Sequence, residues 1–197
     1  MREVAVIGAG MTQFGERWTS SLRDLCTEAG VAALDDANVS GSEIDALFVG
    51  SMSAGRFVGQ EHLGALVADY VGLGGDLHIP ATRVEAACAS GGLAFRQAIA
   101  TVGSGMADVV VAAGVEKMTD VGDSTDVLAG AADREWASFA GATFPGLYAM
   151  IACDYIHKYG LTREELAEVA VKNHYHGARN PFAHFQNEIT RETGMNS

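Results

Sequence analysis

The sequence predicts an α/β protein whose mostly parallel sheet is flanked by helices. Short apolar runs, several of them ending at glycine, alternate along the chain with longer segments whose apolar residues recur at helical spacing. Strands that alternate with helices are joined by right-handed crossovers, which make the strands parallel and place helices on both sides of the sheet. The alternation gives the order βαβαβαβ for the first part of the chain, and a helical region is expected after it.

The first strand and the first helix are predicted near the amino terminus. Glu3–Ile7 is an apolar run of Val and Ile that ends at glycine, as expected for a strand that is buried on both faces. In Ser21–Ala37 the apolar residues recur at roughly helical spacing. Asn38 and Gly41 follow as stop signals, so the helix is expected to end at Ala37.

Three further strands and two helices complete the predicted core. The strands are the segments "IDALFVGS" (44–51), "TRVEAA" (82–87) and "ADVVVAAGVEKM" (107–118), of which the last is the most apolar. The helices are "EHLGALVADYVGL" (61–73) and "SGGLAFRQAIATVGSG" (90–105). Pro80 returns the chain to an extended conformation between the first of these helices and the strand that follows it.

The composition changes after Met118, and a second region is predicted there. Residues 1–118 are expected to form the core, whereas 119–197 begin with a stretch rich in Ala, Gly, Asp and Ser that lacks the strand and helix alternation. Two helices are predicted later in this region, at 146–160 and 162–178. Thr162 and Glu165 form a capping-box pattern at the start of the second helix. A last strand is expected to start at Glu188–Thr190, with the chain stopping before anything pairs with it.

Composition and charge exclude several classes of protein. The 197 residues are 48% hydrophobic, which is enough to bury a core. The chain carries 13 Lys and Arg against 25 Asp and Glu, a net charge of −12, so a nucleic-acid backbone would be repelled. The first apolar run is too short to cross a membrane and is followed by no signal-peptide cleavage pattern, so a cytoplasmic protein is predicted.

Neither the cysteines nor the histidines show the spacing of a metal site. Cys26, Cys88 and Cys153 lie 62 and 65 positions apart, unlike a disulfide framework or a zinc motif. His174 and His176 are two positions apart on a predicted helix and would therefore point to different faces. With His184 they are expected to be surface residues near an acidic or anionic partner, and no metal is expected.

The segment "GAGMTQFG" (8–15) has glycines after a predicted strand, as dinucleotide-binding loops do. The G-x-G-x-x-G pattern requires a glycine where Gln13 stands, and the expected acidic residue at a later strand end is missing because that region is helical. The segment is therefore interpreted as a tight glycine turn that packs the strand against a helix.

Cys88 is the main candidate for a reactive residue. It lies in "VEAACASGGLAF" (84–95), where a strand is predicted to end and a helix to begin, and the amides and dipole of a helix start favour a thiolate. The neighbours Ala87, Ala89, Gly91 and Gly92 leave room for a substrate to approach. A lone cysteine among alanines is equally typical of a small buried residue. Position alone leaves the two interpretations open.

Several separated motifs resemble those of the thiolase family. The segment 84–120, "VEAACASGGLAFRQAIATVGSGMADVVVAAGVEKMTD", resembles the region around the family's nucleophilic cysteine. The segments "VAVIGAGMTQFGE", "FVGSM", "TFPGLYAMIA" and "AVKNHYHGARNP" resemble the archaeal and sterol-carrier-protein branch, the acetyl-CoA acetyltransferases. These motifs follow one another in the family's order over essentially the whole chain.

The resemblance implies acyl transfer through a covalent acyl-cysteine intermediate. Cys88 matches the cysteine that takes the acyl group from acyl-CoA, after which a second acyl-CoA attacks to give a 3-ketoacyl-CoA. The region from Met118 onward would cover the CoA, with Met118, Phe144, Pro145 and Gly146 near the acyl pocket. Coenzyme A thioesters are implied as substrates in lipid metabolism, with no metal and no permanently bound cofactor.

The chain departs from the family because it corresponds to the first of two thiolase halves. In the family the second half supplies the histidine that activates the cysteine, a second acid/base cysteine and an oxyanion contact. Cys153 is no substitute because its surroundings are helical and apolar. A homodimer or a complementary second half is therefore implied as partner. Two alternatives stay open: a non-catalytic assembly subunit, and a thiolase-like aldolase, which the presence of Cys88 disfavours.

Overall fold

A computed structural model of the chain describes residues 2–196. Within that range it contains three β-strands and eight α-helices. The strands are β1 (Ala46–Gly50), β2 (Ala81–Val84) and β3 (Val110–Gly114). The helices are α1 (Leu22–Ala37), α2 (Ala54–Val58), α3 (Leu63–Tyr70), α4 (Ser90–Ser104), α5 (Thr125–Ala129), α6 (Phe144–Tyr159), α7 (Arg163–Gly177) and α8 (Arg191–Met195).

The three strands form one parallel sheet in the order β2-β1-β3. Leu47 of β1 lies opposite Ala81 of β2 on one side and Val111 of β3 on the other. The helices α3 and α4 occupy the two crossovers and pack against the strands they connect. The predicted α/β fold with a parallel sheet and flanking helices is therefore confirmed.

The central strand carries the core. Val49 and Leu63 are completely buried, and they belong to an apolar cluster that links β1 to α1 and α3. Cys26 of α1 packs against the same cluster from its edge. A strand with neighbours on both edges has its backbone groups paired by the ladder, so its side chains are free to be buried on both faces.

The predicted strand at Glu3–Ile7 is wrong. This segment pairs with none of the three strands, and Val6 and Ile7 are 69% and 56% exposed. The glycines after it approach α1 instead: a Cβ on Gly8 would lie 2.6 Å from the Ala37 Cβ, and one on Gly10 would overlap the helix backbone. An apolar segment becomes a strand only where it can pair with the edge of a sheet. Here Gly8 and Gly10, which follow the segment, pack against α1 instead. The glycines therefore do pack closely against a helix, but the strand that they were expected to hold there is not formed, and neither is a tight turn at Gly8 and Gly10.

Local end signals define the long helices. Ser21 and Asp24 form a capping box at the start of α1, and Asn38 ends that helix in the left-handed conformation at φ 52°. Thr162 and Glu165 form the predicted capping box at the start of α7. Hydrogen bonds from Ser21 hold the pKa of the Asp24 carboxyl below its usual value. The residues of each cap are close together in the sequence, so these helix ends could be predicted from it.

The described residues form two compact units. Unit 1 comprises residues 2–12 and 17–124, and unit 2 comprises 13–16 and 125–196. Unit 2 contains α5 to α8 and a single π-helical turn, Arg134–Ser138. The domain boundary predicted after Met118 stays a prediction. No helix in residues 2–196 is long and apolar enough to cross a membrane.

The strand start predicted at Glu188–Thr190 is also wrong. The backbone there is irregular, and Thr190 instead caps α8 by accepting a hydrogen bond from the Thr193 N–H at 3.2 Å. A threonine is as well suited to cap a helix as to sit in a strand, and here the cap is formed.

Candidate functional site

Cys88 lies in the tight turn that joins β2 to α4. The turn is closed by the Ala89 N–H, which donates to the Ala86 carbonyl at 2.9 Å, and by the Ser90 N–H, which donates to the Ala87 carbonyl at 3.1 Å. Ala87 adopts the left-handed conformation at φ 48°, which residues other than glycine rarely do. Cys88 is exposed, so its thiol can be approached from solvent.

The turn is held from within by the side chain of Ser90. Ser90 is 4% exposed, and its Oγ accepts a hydrogen bond from the Ala86 N–H at 2.9 Å and donates one to the Ala87 carbonyl at 2.6 Å. The Ala87 carbonyl belongs to the peptide group that leads into Cys88. The buried hydroxyl therefore fixes the backbone on the amino-terminal side of the thiol.

Glycines let the first turn of α4 sit directly on the ends of two strands. A Cβ on Gly50, the last residue of β1, would overlap the Ser90 carbonyl, and one on Gly114, the last residue of β3, would lie 3.2 Å from the Gly91 Cα. A Cβ on Gly92 would meet nothing within 4 Å. The start of α4 therefore packs closely against the carboxyl ends of β1 and β3, whereas the space beside Gly92 is free of atoms from the rest of the described chain.

The loop after β1 is clamped by two charged side chains. The Glu116 carboxylate accepts hydrogen bonds from the N–H groups of Met52 at 2.7 Å and Ser53 at 3.3 Å, and from the Ser51 hydroxyl at 3.2 Å. Arg83 donates to the Ser51 carbonyl at 3.2 Å and to the Met52 carbonyl at 3.0 Å. Backbone N–H and carbonyl groups of this loop are thus hydrogen-bonded by two side chains that are distant from it in the sequence and close to it in the fold.

These supporting residues were missed by sequence reasoning. Ser90 stands in the segment that resembles the family but carries no motif that separates it from an ordinary helix residue. Glu116 lies within the segment 84–120 that resembles the family, and its partners lie 63 to 65 positions earlier. No local spacing links residues so far apart.

The residues predicted near an acyl pocket fall in both units. Met118 is exposed and follows Lys117, a buried lysine whose ammonium pairs with Asp120 at 2.6 Å in unit 1. That ion pair holds the pKa of the Asp120 carboxyl below its usual value. Phe144, Pro145 and Gly146 open α6 in unit 2, where the Gly146 N–H donates to the Thr143 side chain at 3.2 Å. Their role in substrate binding stays a prediction.

The other two cysteines contrast with Cys88. Cys26 is half-buried, and burial raises the pKa of its thiol to about 11, so it is a neutral thiol at ordinary pH. Cys153 is exposed in the later part of α6, far along the helix from its amino-terminal end. Among the three free cysteines, Cys88 combines exposure with a position directly before a helix.

The histidines contact neighbouring groups, and the rings of His174 and His184 both lie against Phe185. The Nδ1 atom of His174 lies 3.0 Å from the Asn187 carbonyl oxygen, whereas His176 contacts the Tyr175 ring edge-on. His184 stacks on Phe185 with ring centroids 4.6 Å apart. Within 2–196 no three His, Cys, Asp or Glu residues are grouped so that they could hold a metal ion.

The described residues define an α/β protein with an exposed cysteine at a strand-to-helix turn, and comparison with known proteins identifies its family. The chain belongs to the thiolase family, since the family profile described as "Thiolase, N-terminal domain" matches residues 4–196. The predicted family is therefore confirmed.

The similar proteins include members of the archaeal and sterol-carrier-protein branch of the family. The chain is 55% identical to the acetyl-CoA acetyltransferase of Methanothermobacter thermautotrophicus, covering all of this chain and 51% of that protein. It is 31% identical to sterol carrier protein 2 of Gallus gallus, covering all of this chain and 37% of that protein. The solved structure of the Ltp2-ChsH2(DUF35) aldolase matches with a TM-score of 0.73 and 32% identity, covering 98% of this chain and 48% of that one. The chain thus spans about half of the length of the acetyltransferase and of the aldolase chain, and about a third of that of sterol carrier protein 2.

Proposed function

We propose that this chain is the nucleophile-bearing half of a thiolase-type acyltransferase that acts on acyl-CoA, as an acetyl-CoA C-acetyltransferase or a 3-ketoacyl-CoA thiolase. The observation that carries the proposal is the exposed Cys88 thiol on a hydrogen-bonded turn before α4, in a chain of this family that is 55% identical to an acetyl-CoA acetyltransferase. A cysteine thiolate is a strong nucleophile, and a helix start favours its negative charge.

The first chemical step is a thioester exchange. The Cys88 thiolate attacks the carbonyl carbon of acyl-CoA, the bond from that carbon to the CoA sulfur breaks, and CoA leaves as a thiolate that takes up a proton. One thioester replaces another, so the acyl-cysteine is close in free energy to the substrate. The open side of α4 at Gly92 gives the thioester carbonyl room to approach the first amides of the helix.

Carbon–carbon bond formation requires proton transfers, each worth about 10²- to 10⁴-fold in rate. We assign these to a further thiolase half, supplied by additional polypeptide, a complementary subunit or a homo-oligomer. The support is that the archaeal relative is about twice as long as the matched region. Phe144, Pro145 and Gly146 at the start of α6 and Met118 of unit 1 are proposed to bind the acyl-CoA. The cytoplasm is proposed as location, where free thiols persist.

The acyl-cysteine is tested by intact-mass measurement after incubation with acetyl-CoA. We expect an acetyl adduct on the wild-type chain that hydroxylamine removes, as it does a thioester. Cys88→Ser should abolish the adduct, whereas Cys153→Ser, which changes the other exposed cysteine, should keep it. An adduct that survives in Cys88→Ser would refute the proposal. So would a complete lack of adduct when the carboxyl-terminal half of the archaeal relative is also present.

A thiolase-like aldolase is the second candidate, favoured by the 0.73 TM-score to the Ltp2-ChsH2(DUF35) aldolase. An aldolase needs no acyl-cysteine, so its carbon–carbon cleavage should persist in Cys88→Ser. Retro-aldol cleavage of a β-hydroxyacyl-CoA by both wild type and Cys88→Ser, without an acetyl adduct, would favour this candidate over acyl transfer. If neither activity is found, the assembly-subunit alternative predicts a stable complex with a second thiolase-like chain.

A further inference from the structure

The strongest unassigned feature beside the proposed nucleophile is the buried hydroxyl of Ser90. It lies two residues after Cys88, and the residue that carries it is 4% exposed. Its two hydrogen bonds go to the Ala86 N–H and the Ala87 carbonyl, the two residues directly before Cys88. A hydroxyl can donate and accept at once, which the methyl group of an alanine cannot do.

The turn needs such a restraint because Ala87 is in the left-handed region at φ 48°. A non-glycine residue visits that region rarely, and it stays there only where its surroundings hold it. The Ala87 carbonyl accepts from both the backbone N–H of Ser90 at 3.1 Å and its Oγ at 2.6 Å. The peptide plane between Ala87 and Cys88 is thus fixed by one residue through two bonds.

Ser90 is itself anchored to the sheet. Its carbonyl lies so close to Gly50 that a Cβ there would overlap it, and Gly91 behind it contacts Gly114. The ends of β1 and β3 therefore form a rigid support for the first turn of α4. Ser90 therefore connects the ends of these strands to the backbone directly before the Cys88 thiol.

We propose that Ser90 is a positioning residue for Cys88: its hydroxyl sets the orientation of the Ala87–Cys88 peptide and so aims the thiol. The proposal rests on the nucleophilic role proposed for Cys88. It assigns Ser90 no contact with substrate. Displacing a reacting group by about 1 Å can lower a rate by about 100-fold, so a residue that fixes the turn can influence the reaction strongly.

The test uses Ser90→Ala, Ser90→Thr and the matched control Ser104→Ala. Ser104 lies at the opposite end of α4, where its hydroxyl donates to the Thr101 carbonyl at 2.9 Å. One measurement is the backbone NMR shifts of Ala87 and Cys88, which report the turn directly. The other is the alkylation rate of each cysteine by iodoacetamide across pH, followed by mass spectrometry. Half-buried Cys26 reports unfolding, and exposed Cys153 normalises the rates.

In Ser90→Ala we expect the Ala87 shifts to leave the left-handed range. The Cys88 rate should change by about threefold to tenfold relative to that of Cys153, because the turn that fixes the position of the Cys88 thiol is no longer held in one conformation. Ser90→Thr keeps the hydroxyl and should restore both readouts, and Ser104→Ala should leave them at wild type. Cys26 should stay protected in every variant.

Wild-type shifts and rates in Ser90→Ala would overturn the positioning role. The role would also be overturned if Cys26 became reactive in Ser90→Ala, since Ser90 would then act through the general fold. It would be overturned too if Ser90→Thr failed to restore the shifts while Cys26 stayed protected, since Ser90 would then not act through its hydroxyl. If Ala87 shifts move as expected but acetyl-CoA never acylates wild-type Cys88, the proposed function fails while the structural role of Ser90 stands. The two failures are therefore distinguishable.

Discussion

The two units of the chain bury their apolar side chains to very different degrees. In unit 1, β1 and α3 contain completely buried residues, and one apolar cluster joins them to α1. In unit 2, the sixteen-residue α6 has no buried residue and the fifteen-residue α7 buries only Ala167. Met150 of α6 is 69% exposed. Packing therefore stabilises unit 1, whereas the helices of unit 2 depend more on their end caps and on surface pairs.

Energetics support this contrast. Burial contributes about 25 cal/mol for each Å² of apolar surface removed from water, so a fully buried leucine contributes roughly 1.5–3 kcal/mol. A helix cap contributes about 1 kcal/mol and an exposed ion pair such as Lys158–Asp154 of α6 about 0.5 kcal/mol or less. Isolated helices of about 15 residues are only marginally stable in water. Three paired substitutions test the comparison, each with one member in either unit.

The largest effect is expected from removing a core leucine. Leu63→Ala in α3 should lower the free energy of unfolding by about 2–5 kcal/mol, because the side chain is completely buried and leaves a cavity. Leu166→Ala in α7 is the matched change in unit 2, where the side chain is 40% exposed, and should cost below about 1 kcal/mol. Urea unfolding followed by circular dichroism measures both. Equal losses would show that unit 2 is packed as firmly as unit 1.

The same contrast explains what the sequence could predict. The elements α1, β1 and α4 were predicted closely because their apolar spacing and end signals are local. Glu3–Ile7 has the composition of a strand, but pairing depends on which edge of the sheet is free, and no local pattern records that. The position of Cys88 was readable from the sequence. The bonds of Glu116 and Arg83 to the loop after β1 were not, because they join residues 31 to 65 positions apart.

A second prediction concerns pH and compares the two non-catalytic cysteines. Burial in unit 1 raises the pKa of Cys26 from its ordinary value of 9.0 to about 11. Its thiol ionises first in the unfolded chain, so its contribution to stability is complete below pH 9 and is lost as pH rises to about 11. The loss is at most about 3 kcal/mol, since each of the roughly two pKa units corresponds to about 1.36 kcal/mol.

The Cys26 contribution is isolated by comparing variants. The free energy of unfolding of wild type should fall more steeply between pH 9 and 11 than that of Cys26→Ala, since other groups titrate equally in both. Cys153→Ala, which changes an exposed cysteine of unit 2, should follow the wild-type slope. Parallel curves for wild type and Cys26→Ala would mean that the α1 face carrying Cys26 is hydrated, and the contrast between the units would be weaker than the burial indicates.

The smallest effect, and the one that separates the units most directly, comes from the two capping boxes. Ser21 with Asp24 starts α1 in unit 1, and Thr162 with Glu165 starts α7 in unit 2. Ser21→Ala and Thr162→Ala each remove a side-chain acceptor and should each cost about 1 kcal/mol. What differs is how far the damage spreads. Leu22, the first residue of α1, is buried in the core, so exchange should rise only in the first turn of that helix.

In α7 the exposed face offers no comparable support, so Thr162→Ala should raise hydrogen exchange along most of Arg163–Gly177. Local opening requires little free energy where few apolar contacts are lost, so a cap of about 1 kcal/mol is a large share of what holds such a helix. Exchange followed by mass spectrometry on matched peptides from α1 and α7 measures this spread. Fraying confined to the first turn of both helices would show that α7 is held by its packing on α8 rather than by its cap.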